Sequence, residues 1–300
     1  MSKGLLETIT EFFEPQAPSW ACEVTSRHVI IAGVNARRNR ITDKSTATLN
    51  QPLALPSQGG KGAEIADTAG QVVRKLLSEV GFKGSEIAVV VPDETARIAF
   101  LTAENLSKNP EEQRTFIRWK LKKSIPFDVD SAQVAYRIQG THPGGTGVDI
   151  VVALSPRSIV QEYEKLFDAL DIHVGILLPS TLATLNLFSP PVGDTLFVKV
   201  APDCVTTTVF QSGRVQFYRR VSDLSLYDAV YPTVLYYQDK LGGKALERMY
   251  VCGYDSDLAS SVDEVQDKLG LLAYRIGPKS VEDIYKPALG AIHLKADATM

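Results

Sequence analysis

The side chains that most often bind metals or act in catalysis are scattered in this sequence. None of the histidines lies beside a cysteine or forms an HExxH pair, so a zinc site is not expected. The GxxxxGK[ST], GxSxG and GxGxxG motifs are also absent. The sequence therefore predicts no metal site and no familiar catalytic centre. The histidines are His28, His142, His173 and His293.

Cysteine usage and charge indicate the expected compartment. Cys22, Cys204 and Cys252 are distant from one another and odd in number, which argues against a secreted disulfide framework and a CxxC motif. The net charge of −3 gives no overall preference for nucleic acid. No apolar run approaches the roughly 20 residues that a membrane-spanning helix needs. We expect a cytoplasmic protein that does not bind nucleic acid and reaches a membrane only peripherally or through partners.

Hydrophobic spacing predicts the helices and strands around these residues. A short amphipathic helix is predicted at residues 4–13 and a strongly periodic helix at 65–80, after a polar stretch at 43–62 that contains proline and glycine. The glycine-rich stretch 141–147 follows one strand and precedes another, so it is predicted to be a hairpin loop and not a phosphate cradle. The stretch 189–194, "SPPVGD", is the expected domain boundary.

The two halves of the chain share one plan. Each opens with a strand hairpin and continues through alternating helices and strands, as in folds built from a duplicated α/β unit. A basic helix in the first half, residues 109–124, ends at the sequence "SIPFD". Pro126 disfavours helical geometry at Ile125 and turns the chain towards the next strand. The basic side of this helix either is simply solvated or faces anionic lipid or an acidic partner segment.

The order of these elements, with several local signatures, resembles the PilM family of type IV pilus assembly proteins, which are relatives of the division protein FtsA. The resemblance implies an α/β actin-like fold of two ribonuclease-H-like domains, an inserted α+β subdomain, and a missing or reduced insert in the second domain. The segments that carry it are "EIAVVVPDETARIAFLTAEN" (86–105), "KKSIPFDVDSAQVAYRI" (122–138), "DIVVALSPRSIVQEYEKLFDALDI" (149–172), "PSTLATLNLF" (179–188), "LYDAVYPTVLYYQDKLGG" (226–243) and "ALGAIHLKA" (288–296).

The resemblance also implies a division of the chain into five parts. In order they are the N-terminal part of the first actin-like domain (1–94), the inserted subdomain (95–172), a return to the first domain (173–190), the second actin-like domain (191–280), and a closing helix with the tail (281–300).

Nucleotide-binding members of this family hold phosphates with two Gly-x-Asp-x-Gly hairpins. Glycines allow backbone N–H groups to approach the anion, and aspartates organise the metal. In this chain Glu23 and Thr25 replace an aspartate and a glycine of the first hairpin, and Lys199 and Ala201 do so in the second. By resemblance, the residues left to contact a weakly bound nucleotide are Glu23, Thr25, Ser26, Lys199, Asp203 and Gly253.

These replacements predict a pseudo-ATPase. Lys199 places a cation where the family has a metal-binding carboxylate, and it would repel Mg²⁺. Few residues separate the second hairpin from the helix at 226–243, so the subdomain that normally walls the cleft is missing. We therefore expect a cleft that is open on the side of the missing subdomain, no catalytic residue and no cofactor. The alternative is weak binding of ATP or ADP.

Three functions are compatible with the resemblance. The first is a scaffold of a type IV pilus or related assembly platform, peripheral at the inner membrane, that binds other platform proteins and the N-terminal tail of a single-span PilN-like partner. The second is a nucleotide-dependent switch, and the third an FtsA-like filament, although the chain's tail lacks an evident amphipathic membrane helix. The cytoplasmic part of a type II secretion protein is a further relative by fold.

The candidate partner-binding residues are Ile125, Pro126 and Phe127, at the corner of the inserted subdomain. We predict that Phe127→Ala weakens binding of a PilN-like N-terminal peptide more than it lowers the free energy of unfolding. Peptide titration and urea denaturation of the same variant measure the two effects. Equal losses in both would make this corner an ordinary part of the hydrophobic core.

Overall fold

The computed structural model describes residues 18–35, 40–53, 65–143, 145–244, 246–253 and 257–292. The predicted helix at 4–13 and His293 lie outside these residues. Within them, no helix combines the length and the apolar character needed to cross a bilayer.

The described residues form thirteen strands. In chain order they are β1 (Trp20–Val24), β2 (His28–Asn35), β3 (Arg40–Thr48), β4 (Glu86–Val91), β5 (Arg97–Ala103), β6 (Gln133–Thr141), β7 (Val148–Ser155), β8 (His173–Pro179), β9 (Thr195–Ala201), β10 (Cys204–Gln211), β11 (Arg214–Val221), β12 (Arg248–Gly253) and β13 (Leu272–Arg275).

Seven α-helices accompany the strands in the described part of the chain. They are α1 (Ile65–Glu79), α2 (Pro110–Leu121), α3 (Arg157–Asp168), α4 (Ser180–Leu185), α5 (Leu226–Asp239), α6 (Leu258–Leu269) and α7 (Lys286–Ile292), with short 3₁₀ turns at Asp93–Thr95 and Asp283–Tyr285.

Two five-stranded sheets have the same topology. The first has the order β3-β2-β1-β4-β8 and the second β11-β10-β9-β12-β13. In each, the first three strands are antiparallel neighbours and the last three are parallel ones. The duplicated α/β plan is therefore confirmed, and β1 of the first sheet corresponds to β9 of the second.

A third sheet, of order β5-β7-β6, forms the insert after β4. Helix α2 covers one side of it, with Ile117 and Leu121 buried among apolar side chains of the three strands. Helix α3 follows this sheet in the chain but packs in the core of the first domain, through Tyr163 and Phe167. The bounds 95–172 stay a prediction. If the insert were defined by the residues that share its hydrophobic core, it would end before α3.

Two short helices lie between the large sheets. Ala183 of α4 and Ala288 and Ala291 of α7 pack against small residues of the first sheet. After α4, the Phe188 ring contacts Phe197 and other rings of the second domain, with centroids 5.4 Å apart for that pair. The crossing chain therefore packs on both domains and joins them.

Most predicted elements are confirmed, including the helix at 65–80 and the hairpin loop between β6 and β7. Strand β3 was not among the predicted elements, and it continues to Thr48, into the polar stretch 43–62. Side chains along β3 are largely exposed. Its backbone pairs with β2 through most of its length, so pairing and not an apolar face defines this strand.

Only residues 222–225 separate β11 from α5, as expected for a missing second-domain insert.

Gly290 sets the close approach of α7 to α4. A Cβ atom at this position would lie 2.0 Å from the carbonyl oxygen of Ala183. We predict that Gly290→Ala lowers the free energy of unfolding by about 1–3 kcal/mol, because the helices must separate. Gly70 of α1 is a matched control, since its added Cβ meets only ordinary contact at 3.5 Å. Gly70→Ala should raise the free energy of unfolding by about 0.5–1 kcal/mol, because alanine leaves the unfolded chain with less conformational entropy to lose on folding. Equal effects in urea denaturation would contradict this.

Candidate functional site

The two hairpins that the sequence singled out face each other across the domain boundary. The β1–β2 turn carries Ser26 and the β9–β10 turn carries Asp203. The Ser26 hydroxyl donates a short hydrogen bond to the Asp203 carboxylate. These residues are 177 positions apart in the chain, so the bond joins the two domains directly.

Glu23 and Lys199 occupy the interiors of the equivalent strands β1 and β9. Both side chains are buried, with 1% and 0% of their surfaces exposed. Burial raises the pKa of the Glu23 carboxyl, while the nearby Lys199 ammonium and the hydrogen bond from Ser180 act against this rise. The Ser180 hydroxyl donates to Glu23 Oε1 at 2.7 Å. A buried cation therefore compensates a buried acid at the centre of the domain boundary.

Asp93 is a second acid at this boundary, and the sequence analysis missed it. It accepts the backbone N–H of Thr181 at 2.8 Å and the Thr181 hydroxyl, and from the second domain the Thr206 hydroxyl at 2.9 Å. It follows Pro92 at the carboxyl end of the parallel strand β4. Ligand-contacting and polar residues commonly lie at that end of parallel strands, and this was the signal available in the sequence.

An ion pair extends the boundary towards solvent. The Arg220 guanidinium of β11 lies 3.7 Å from Glu94 Oε2, which follows Asp93. Burial raises the pKa of the Glu94 carboxyl, and Arg220 opposes that rise. The acids Asp93 and Glu94 of the first domain thus both contact side chains of the second.

Thr25 closes the first hairpin turn by hydrogen bonding to its backbone. Its hydroxyl oxygen accepts the N–H groups of Arg27 at 3.2 Å and His28 at 2.8 Å. At a glycine, these N–H groups would be available to an anion. The threonine satisfies them internally, so this turn offers fewer donors to a phosphate group.

The space between the hairpins is very small. The cavity measures ≈ 20 Å³, enough for about one water molecule and far below the ~300 Å³ of small ligand sites. Side chains of both domains therefore fill the boundary at the hairpins, and the opening expected on the side of the missing subdomain stays a prediction. The cavity is lined by Glu23, Thr25, Pro92, Asp93, Glu94, Ser180, Ala201, Pro202, Asp203 and Cys204.

Gly253 does not line this cavity. A Cβ atom there would lie 2.7 Å from Cβ of Val200 on the neighbouring strand, so close strand packing accounts for the glycine. Its N–H donates to Asp283 at 3.3 Å, and Asp283 also binds Arg275 and the buried Lys286. Of the six residues predicted for nucleotide contact, Glu23, Thr25 and Asp203 line the cavity, Ser26 bonds to Asp203, and Lys199 lies near Glu23. Gly253 pairs with Val200, the residue after Lys199, and Asp283 accepts its N–H.

The cysteines show little reactive character. Burial raises the pKa of Cys204 and Cys252 to about 12, so both thiols stay protonated at neutral pH. His142 contacts Asp149 at 2.7 Å, and His173 is exposed on β8. Among the described residues, no three His, Cys, Asp or Glu side chains are arranged to hold a metal ion.

The corner residues of the insert lie apart from the hairpins. Ile125 and Phe127 are half-buried and pack against the core of the insert, whereas Pro126 is exposed. The corner therefore combines core packing with one accessible apolar residue. Its role in partner binding stays a prediction.

A larger groove of ≈ 740 Å³ lies between the insert and the β10–β11 hairpin. The edge strand β5 contributes Phe100, and β11 contributes Arg214. The Gln139 amide fixes this junction, because it donates to the carbonyl of Val215 at 2.9 Å and accepts its N–H at 2.8 Å. The volume and the edge strand suit a few residues of an extended peptide.

The buried charges make a direct prediction about stability. Lys199→Met removes the cation and leaves the buried Glu23 carboxyl near Asp93 without it, so we expect a loss of about 3–5 kcal/mol in the free energy of unfolding. The double variant with Glu23→Gln removes most of the imbalance and should recover a large part of that loss. A double-mutant cycle by urea denaturation measures the coupling, and additive effects would mean that the two side chains do not interact.

Comparison with known proteins identifies the fold of this chain. No family model matches the sequence, and no curated protein matches it at a significant level. Among solved structures, a chain of the PilM–PilN type IV pilus biogenesis complex is similar, with a TM-score of 0.73 and 16% identity over 93% of this chain and 97% of that one.

Two further structures have the same overall arrangement. The cytoplasmic domain of EpsL, an inner membrane component of the type II secretion system of Vibrio cholerae, matches with a TM-score of 0.54 and 10% identity over 92% of this chain and 95% of that one. A Bacteroides thetaiotaomicron protein of actin-like ATPase fold and unknown function matches with a TM-score of 0.51 and 8% identity over 89% and 93%. The expected fold is confirmed: the chain has an α/β actin-like fold.

Proposed function

We propose that this protein is a scaffold of a type IV pilus or related secretion platform at the cytoplasmic face of the inner membrane. It binds the N-terminal cytoplasmic tail of a PilN-like membrane protein and does so without ATP hydrolysis. The observation that supports this most is the similarity of nearly the whole chain to a component of the PilM–PilN complex. The similarity to cytoplasmic EpsL supports the same setting.

The filled domain boundary supports independence from nucleotide. A triphosphate would have to displace the Ser26–Asp203 and Asp93–Thr206 contacts, and its metal would approach the Lys199 ammonium. These costs oppose binding in the conformation described. The nucleotide-dependent switch is the alternative, and it requires the domains to open first.

Two positions on the insert are candidates for the partner tail. The corner at Ile125–Phe127 is predicted from the sequence, and the groove beside Phe100 is large enough for an extended segment. Phe100 is 37% exposed and, unlike Phe127, does not pack against the core cluster of the insert, so its removal should cost less stability than that of Phe127. Phe100→Ala and Phe127→Ala therefore form a pair of variants that distinguish the two positions.

A thermal-shift titration with a synthetic peptide tests the function. The peptide copies the cytoplasmic N-terminus of a PilN-like protein, and a scrambled peptide is the control. A ligand selective for the folded state stabilises it by about 2.7 kcal/mol at a hundredfold excess over Kd, so the melting temperature should rise by several degrees. Mg-ATP should leave it unchanged.

The variants then locate the tail. Loss of the shift in Phe100→Ala alone would place it in the groove, and loss in Phe127→Ala alone at the corner. No shift of the unaltered protein with any PilN-like peptide contradicts the scaffold proposal. A shift with Mg-ATP, larger when peptide is also present, would favour the switch.

A further inference from the structure

The outward side of helix α2 carries an unusually exposed tryptophan. Trp119 has 68% of its surface exposed, while Ile117 and Leu121 on the other side of the helix are buried in the core of the insert. Packing of the insert therefore does not require the indole. One exposed ring is ordinary by itself, but the Trp119 ring lies beside that of Phe116, with centroids 6.2 Å apart, so the two form a small aromatic patch.

One lysine contacts this ring, and a second exposed lysine lies nearby in the chain. Lys120 Nζ lies 5.3 Å from the Trp119 ring centroid and 5.8 Å from that of the half-buried Phe116. Lys123 follows about one turn later and is exposed. Lys122 differs from them, because its ammonium pairs with Asp130. Phe116, Trp119, Lys120 and Lys123 together form what we call the Trp119 face.

An anionic bilayer surface fits this combination best. Indole rings favour the boundary between lipid headgroups and acyl chains, and lysine side chains extend their ammonium groups to the phosphates there. A peptide ligand would instead need a groove beside the ring. Trp119 lines neither of the two cavities described above. A protruding ring can enter the headgroup region of a bilayer without such a groove.

We propose that the Trp119 face binds the surface of an anionic lipid bilayer directly and peripherally. The proposal rests on the proposed function only for the presence of a membrane nearby, and it adds a second, partner-independent contact. Two exposed lysines and one indole give weak binding on their own. Combined with capture of a membrane-anchored tail, the contact would hold the insert towards the bilayer.

Co-sedimentation with lipid vesicles tests this with the full chain and no partner. At low salt the protein should bind vesicles of phosphatidylcholine and phosphatidylglycerol in equal parts, and not vesicles of phosphatidylcholine alone. Binding should fall as salt is raised, because the attraction is screened. Trp119 emission should shift to shorter wavelength on binding, a change that Trp119→Phe removes, leaving Trp20 as a reference.

Charge-matched variants separate the face from net charge. Lys120→Gln with Lys123→Gln should lower the vesicle partition coefficient about tenfold or more, since each lysine near such a surface contributes about 1 kcal/mol. Lys83→Gln with Lys240→Gln removes the same charge from exposed positions outside α2 and should change partition far less. Trp119→Ala should lower it severalfold without loss of folding, as circular dichroism can verify.

The proposal is overturned if the unaltered protein binds neither vesicle, binds both equally, or loses binding equally in both lysine pairs. It is also overturned if vesicles have no effect but an acidic peptide shifts Trp119 emission, since the face would then bind protein. Thermal shift by a PilN-like peptide is measured separately without lipid. Failure of vesicle binding with that shift intact would leave the scaffold function standing.

Discussion

The buried charge cluster between the two domains is the interaction on which the rest of the structure depends. Lys199 compensates Glu23, and Asp93 accepts hydrogen bonds from both domains. Buried ionisable groups are tolerated only when partners satisfy them, so opening the boundary would expose or unpair several groups together. Side chains of both domains thereby hold the two hairpins against each other.

This closure suits a scaffold better than a motor. The domains are joined at the hairpins, through α4 and α7 between the sheets, and through the Gln139–Val215 contacts of the insert. A platform of the proposed kind would gain from fixed relative positions of its binding surfaces, because preorganised sites bind with a smaller entropy cost. A nucleotide-driven switch would instead require a boundary that opens at low cost.

The sequence predicted the elements well and the contacts between them poorly. The apolar spacing of Ile65–Glu79 specifies a helix by itself, whereas β3 has mostly exposed side chains and is defined by its pairing with β2. Resemblance predicted that Glu23 and Lys199 occupy equivalent strands. It could not show that Ser26 would reach Asp203, because that contact depends on how two domains pack. Asp93 was missed because one acid after a strand is common.

Hydrogen exchange at the β1–β2 and β9–β10 hairpins, measured with and without Mg-ATP, tests the central claim most directly. If side chains already close the boundary, both hairpins exchange slowly in the free protein and at the same rate with nucleotide. Fast exchange in the free protein that becomes slow on adding Mg-ATP would show that the cleft opens and takes nucleotide. That result would contradict a boundary closed by Lys199, Glu23 and Asp93.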